Sequence, residues 1–311
     1  MKKIFINDGL LRIASDYSCE LSAFLVDNKR LKKLKDELDG QYKLYVEKII
    51  SEWENLVVLQ PSDFESVHSS FCMILSDNQL SGIIGGKPFY KRIIDAMGYK
   101  DVQSKIFPKY MAKLNINTCI YCNAQYAYAA NYGKDVYVNY ELDHWKPKSI
   151  YPFLCTSFFN LQPCCSKCNK LKSNKDAKFS LYTKNEDDID PMHFSLSEDG
   201  IIKYYATRDI NMIRIIFDCP GNSELKDNHE KLFHITTLYQ GHRDIVEEIL
   251  WKKQIYNSTF QEIYFQQFKK LGFTPSMFKR FILSNYSGVE EINKCPLSKM
   301  IQDIARELNL I

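Results

Sequence analysis

The segments Cys119-Ile-Tyr-Cys122, Glu141-Leu-Asp143-His144-Trp145-Lys146-Pro147 and Asn160-Leu-Gln-Pro-Cys164-Cys165-Ser-Lys-Cys168-Asn169-Lys170-Leu-Lys172 decide how the rest of the 311-residue chain is read. Two Cys-x-x-Cys pairs enclose an Asp-His dipeptide and two asparagines. Four thiolates in two such pairs are the ligand set of a closed, tetrahedral structural zinc site. Cys119, Cys122, Cys165 and Cys168 are therefore the candidate zinc ligands, and the alternative is four reduced core cysteines. Cys164 competes on the second side, but Cys165 and Cys168 have the right spacing. The pairs lie 42 residues apart, so a substructure must fit between them.

Period-two patterning marks that substructure. Residues 125–130 and 136–142 read as strands around a turn at Asn131-Tyr-Gly133-Lys, and the second strand runs into Asp143-His144. A loop of about fifteen residues follows, rich in aromatics (Trp145, Tyr151, Phe153, Phe158, Phe159), and residues 166–172 open a short helix. A carboxylate is a hard oxygen ligand for a divalent cation. An imidazole titrates near neutrality and can take a proton from water. At a strand end, ahead of a loop, the two can face a cleft together.

The charge distribution singles out the same region. Residues 119–184 hold nine lysines against four acids, whereas residues 1–118 are nearly balanced and residues 185–311 are net acidic. Positive charge beside a candidate site favours a polyanionic substrate. Lys146, Lys148, Lys167, Lys170, Lys172 and Lys175 are available for backbone phosphates, with Lys146, Lys170 and Lys172 as the leading candidates; a solvated lysine face is the competing reading. Such contacts serve DNA and RNA alike.

The flanks read as helical. Helices are expected over 20–39, 41–60, from a capping-box pattern at Ser62-Asp-Phe-Glu65 to about 76, from Pro88 to 97, and over 101–114. A short hairpin is expected over 192–206, turning at Glu198-Asp-Gly200, and helices over 244–253, 258–270, 275–285 and 297–308. The expected class is α+β: helical regions 1–118 and 185–311 around a ββα module at 119–184. No apolar run approaches the roughly 18 residues of a membrane span, and the N-terminus lacks a signal-peptide core. The expectation is a cytoplasmic protein with reduced cysteines.

Asp-His-x-x-Pro, then Asn-Leu-x-x-x-Cys-x-x-Cys-Asn-x-x-Lys, preceded by Cys-x-x-Cys, resembles the signature of the HNH endonucleases, a zinc-stapled ββα-metal family. The resemblance covers 54 of 311 residues. It implies His144 as general base, Asp143 and Asn169 as holders of a catalytic magnesium or manganese ion, and Asn160 as a brace for the loop carrying the base. It also implies structural zinc on the four cysteines and products with a 5′-phosphate and a 3′-hydroxyl. Asn169 stands where the family often has histidine, which leaves the metal preference open. Cys119-x-Tyr-Cys-Asn-x-Gln-Tyr, Leu142-Asp-His-Trp-x-Pro-Lys-Ser-x-Tyr-Pro-Phe-Leu, Ser157-Phe-Phe-Asn-Leu and Pro296-Leu-Ser-Lys look like a bacterial group found beside AAA/ABC-type P-loop ATPases. That group includes nuclease subunits of Septu-type anti-phage systems, some of them attached to retrons. The competing class is a zinc module that binds nucleic acid, or serves an ATPase complex, without catalysis.

Overall fold

The structure is a computed structural model describing residues 1–25, 28–133 and 135–311. It combines many helices with small two-stranded sheets, an α+β arrangement. Two compact units emerge: residues 3–115 with 128–186, and residues 1–2 with 116–127 and 187–311. This grouping differs from the division at 118 and 184 read from composition. Backbone bonding explains the difference for 116–127: Asn117 N donates to Asn293 O, and the Asn123 amide donates to Ile292 O.

In the first unit the Asp8–Phe24 helix starts at Asn7, whose side chain accepts from Leu10 N. The single helix expected over 20–39 is instead the end of this helix followed by a separate Lys29–Asp36 helix; residues 26 and 27 of that span lie outside the described residues. Leu21, Leu31, Leu34 and Leu38 are buried as their periodicity asks, while Phe24 is exposed. The capping box forms at Ser76 and Gln79, not at Ser62, whose hydroxyl turns to the Asp63 carboxylate. The aromatic loop is core: Phe153, Phe158 and Phe159 are fully buried, and Phe158 packs on Tyr17 and Phe107. Each such ring contributes about 1.5–3 kcal/mol by leaving water.

Two helix tyrosines tie the strands and loop to the helices. The Tyr17 hydroxyl donates to Thr156 O at 2.7 Å, and the Tyr99 hydroxyl donates to Leu142 O at 3.1 Å. Tyr128–Tyr132 pairs antiparallel with Asp135–Asn139; Lys134 of the expected turn lies outside the described residues. That hairpin does not continue into Asp143-His144. Glu141–His144 is a separate strand, antiparallel to Leu161–Cys164, a segment read from sequence as loop. The register sets Glu141 opposite Cys164 and His144 opposite Leu161. Pro163 fits here because a two-stranded sheet leaves every strand an edge. The Ser166–Lys172 helix follows directly and completes a strand–strand–helix unit.

In the second unit His193–Leu196 pairs antiparallel with Ile215–Asp218. The hairpin expected over 192–206 is corrected: Ser197 accepts from Gly200 N and starts a helix, Glu198–Thr207. Gly200 is required there, since a Cβ would lie 2.7 Å from Met212 O. The Ser298–Glu307 helix is fixed to this sheet by Asp303, which accepts from Phe194 N at 2.9 Å and pairs with buried Lys299. Among the described residues no helix is long and apolar enough to cross a membrane.

Candidate active site

Asp143 and His144 end their strand and line a cleft of about 390 Å³ together with Lys148, Asn169 and Lys170. His144 is buried, and its Nε2 lies 2.9 Å from Cys155 O. A carbonyl only accepts, so Nε2 carries the hydrogen and Nδ1 keeps its lone pair, with no hydrogen bond of its own among the described residues. Burial first, and then the Lys148 ammonium, push the His144 pKa down to about 3, against the opposing pull of the Cys155 carbonyl. The ring is therefore neutral, the form that accepts a proton. The Tyr99 ring packs 4.7 Å away and fixes its plane.

Asn160 is fully buried and ties down the segment after His144. Its Oδ1 accepts from Lys146 N at 2.8 Å, and its Nδ2 donates to Lys146 O and Leu154 O. Its carbonyl accepts from Trp145 N at 2.9 Å, so one residue holds both ends of the turn.

The lysines divide into two kinds. Lys172 was expected at backbone phosphates, but its ammonium is fully buried, 3.1 Å from Asp143 Oδ2 and 2.6 Å from His144 O. A charge so placed has no reach to a substrate strand and is held inside by its pairing. Lys146 is paired with Glu65 at 2.6 Å and lies over the Trp145 ring. Lys170 is exposed at the cleft, and Lys148 lies 4.5 Å from the centre of the Tyr99 ring with no carboxylate of the described residues in ion-pair contact.

Asn169 donates through Nδ2 to Glu141 at 2.7 Å. With its nitrogen committed, Oδ1 is the atom left to face the cleft. Carboxylate and amide oxygens in one cleft suit a hard divalent cation, and the Asp143 and Asn169 donor set fits magnesium or manganese. The Glu141 carboxylate thereby fixes the orientation of the Asn169 amide.

Cys119 and Cys122 lie in the second unit and Cys165 and Cys168 in the first. Four cysteines in two Cys-x-x-Cys pairs are a donor set that fits a structural zinc ion. Cys165 also accepts from Cys168 N at 3.5 Å, a contact that favours a thiolate. Cys164 stands apart: it is buried with its sulfur toward Glu141 O, and burial holds its thiol well above the ordinary range.

Sequence reasoning missed Tyr99, Glu141 and Glu65. Only Glu141 left a signal, since period two puts it on the Asp143 face of the strand. Tyr99 and Glu65 arrive from helices whose patterning says nothing of the cleft.

No family model matches the chain, and no solved structure matches it. Over 68 residues, 22% of this chain and 24% of the relative, the sequence is 31% identical to Septu protein PtuB of Bacillus thuringiensis. The similarity thus spans about a quarter of that curated relative and gives a distant link to the Septu proteins.

Proposed function

We propose that the chain is a metal-dependent phosphodiester hydrolase of HNH type, the nuclease component of an anti-phage system that works with a P-loop ATPase. The observation that supports this best is His144: a neutral imidazole with Nε2–H tied to a carbonyl and a lone pair at Nδ1, in a cleft that also holds Asp143, Asn169 and two lysines. Asp143 and Asn169 are the residues that would hold the cation, which when bound supplies charge neutralisation at the scissile phosphate. His144 Nδ1 takes a proton from water as the water oxygen attacks phosphorus and the 3′ oxygen leaves. Asn160 keeps the base in place, and Lys148 and Lys170 offer positive charge to the strand. The distant likeness to a Septu protein supports the defence setting. The system class in turn supports an AAA/ABC-type ATPase as partner.

A second reading, nucleic-acid binding without catalysis, draws on Lys172, which already neutralises Asp143. Incubation with plasmid, single-stranded DNA and tRNA separates the two. The nuclease reading expects cutting with magnesium or manganese that stops in EDTA, from the chain alone or with its ATPase. Retention of nucleic acid with no cutting under any of these conditions overturns it.

A further inference from the structure

Away from the cleft, the turn between the Phe64–Cys72 and Asp77–Leu80 helices gathers His68, Cys72 and Asp77. His68 and Cys72 are four apart on one helix and share a face. His68 Nε2 lies 3.0 Å from Asp77 Oδ1 and 3.4 Å from Cys72 Sγ, and that sulfur lies 3.7 Å from the same carboxylate oxygen. A nucleophilic thiol–imidazole–carboxylate relay needs its thiol and its carboxylate on opposite ring nitrogens. Here both meet the same nitrogen, whose single hydrogen can serve only one of them. Three donors that approach one another pairwise suit a shared cation. Tetrahedral zinc bonds would separate nitrogen from oxygen by about 3.4 Å, and sulfur from either by about 3.6 Å. The three separations in the structure fall within a few tenths of an ångström of these.

A second observation comes from Tyr45. Its side chain is buried, and its hydroxyl has no hydrogen-bond partner among the described residues. Burial first, and then the neighbouring Cys72 and Asp77, hold its hydroxyl well above the ordinary tyrosine range. A buried hydroxyl without a partner is unfavourable, so a partner is expected beside it. Water on an ion held by the other three side chains would supply that partner.

We propose that His68 Nε2, Cys72 Sγ and Asp77 Oδ1 form a zinc site, separate from the four-cysteine cluster, with its fourth position open to water beside Tyr45. The His68 ring packs against the Tyr151 ring, centroids 4.2 Å apart and planes tilted by 34°. The Tyr151 hydroxyl donates to Glu65, and Glu65 pairs with Lys146, two residues after His144. An ion at this site therefore steadies the segment that carries His144, whatever that histidine does.

Metal content tests the site without any activity assay. The full-length wild type and Cys72→Ser, a change at an exposed position, are dialysed to equilibrium against buffered micromolar free zinc, and zinc per chain is measured. Cys72→Ser is expected to hold one ion fewer, and so is Asp77→Asn. Cadmium-113 spectra of the wild type should show a one-sulfur resonance far upfield of the four-sulfur resonance, and Cys72→Ser should lose only the former. Equal zinc in wild type and both variants, or cadmium only at a four-sulfur shift, overturns the proposal. Because the readout is a difference, it holds whether or not the four-cysteine cluster is filled and whether or not the chain cuts nucleic acid.

Discussion

His144→Ala is expected to lower cleavage by about 10²- to 10⁴-fold, the range over which a positioned general base acts. The substitution also deletes the bond to Cys155 O and the packing on Tyr99, so loss of rate alone is ambiguous. Two further readouts resolve it. The thermal midpoint should fall, because a buried ring and its bond are lost, but the variant should still fold with wild-type zinc content, because the braces on Asn160 do not involve the His144 ring. Added imidazole should restore part of the rate, since the vacated space opens on the cleft and the free base can occupy it. Wild-type cleavage by His144→Ala removes the histidine from the mechanism. An inactive but folded variant that imidazole does not rescue leaves it a structural residue.

The largest effect on stability is expected at Lys172. Its ammonium is fully buried against Asp143, itself buried, and against the His144 carbonyl. Replacing it with methionine keeps most of the side-chain volume and removes the charge. The Asp143 carboxylate then loses this counter-charge inside the fold. Breaking a buried pair from one side costs about 3–5 kcal/mol. In urea this should appear as a lower midpoint with an unchanged slope. The double variant Asp143→Asn, Lys172→Met should recover part of the loss, because no carboxylate is left behind. A loss below about 1 kcal/mol would match an exposed pair and contradict the burial.

These two residues also show what a sequence can and cannot tell. That Asp143, His144 and Asn169 line one cleft was legible because the motif rests on residue types at fixed spacing. The two Cys-x-x-Cys pairs stand out as the donor set of a structural zinc ion. Pairing was less legible. Glu141–His144 finds its partner across a long loop, in a four-residue strand containing proline, which has the composition of a turn. Lys172 misled for a related reason. Among neighbours such as Lys167, Lys170 and Lys175 it reads as one more solvated cation, and only the docking of the Ser166–Lys172 helix on the strand carrying Asp143 turns it inward. The helix at Glu198–Thr207 shows tertiary and capping terms prevailing over local alternation: Ser197 caps it, and Gly200 permits close packing on Met212.

The bonds around His144 have a temporal side. The ring depends on Tyr99, 45 residues earlier, on Cys155, 11 residues later, and, through its carbonyl, on Lys172, 28 residues later. During synthesis those partners leave the ribosome one after another. A chain interrupted before residue 172 lacks the ammonium that holds the end of the His144 strand. Aborted translation products of such a protein therefore carry the imidazole without its assembled setting, so the proposed activity is tied to completion of the fold.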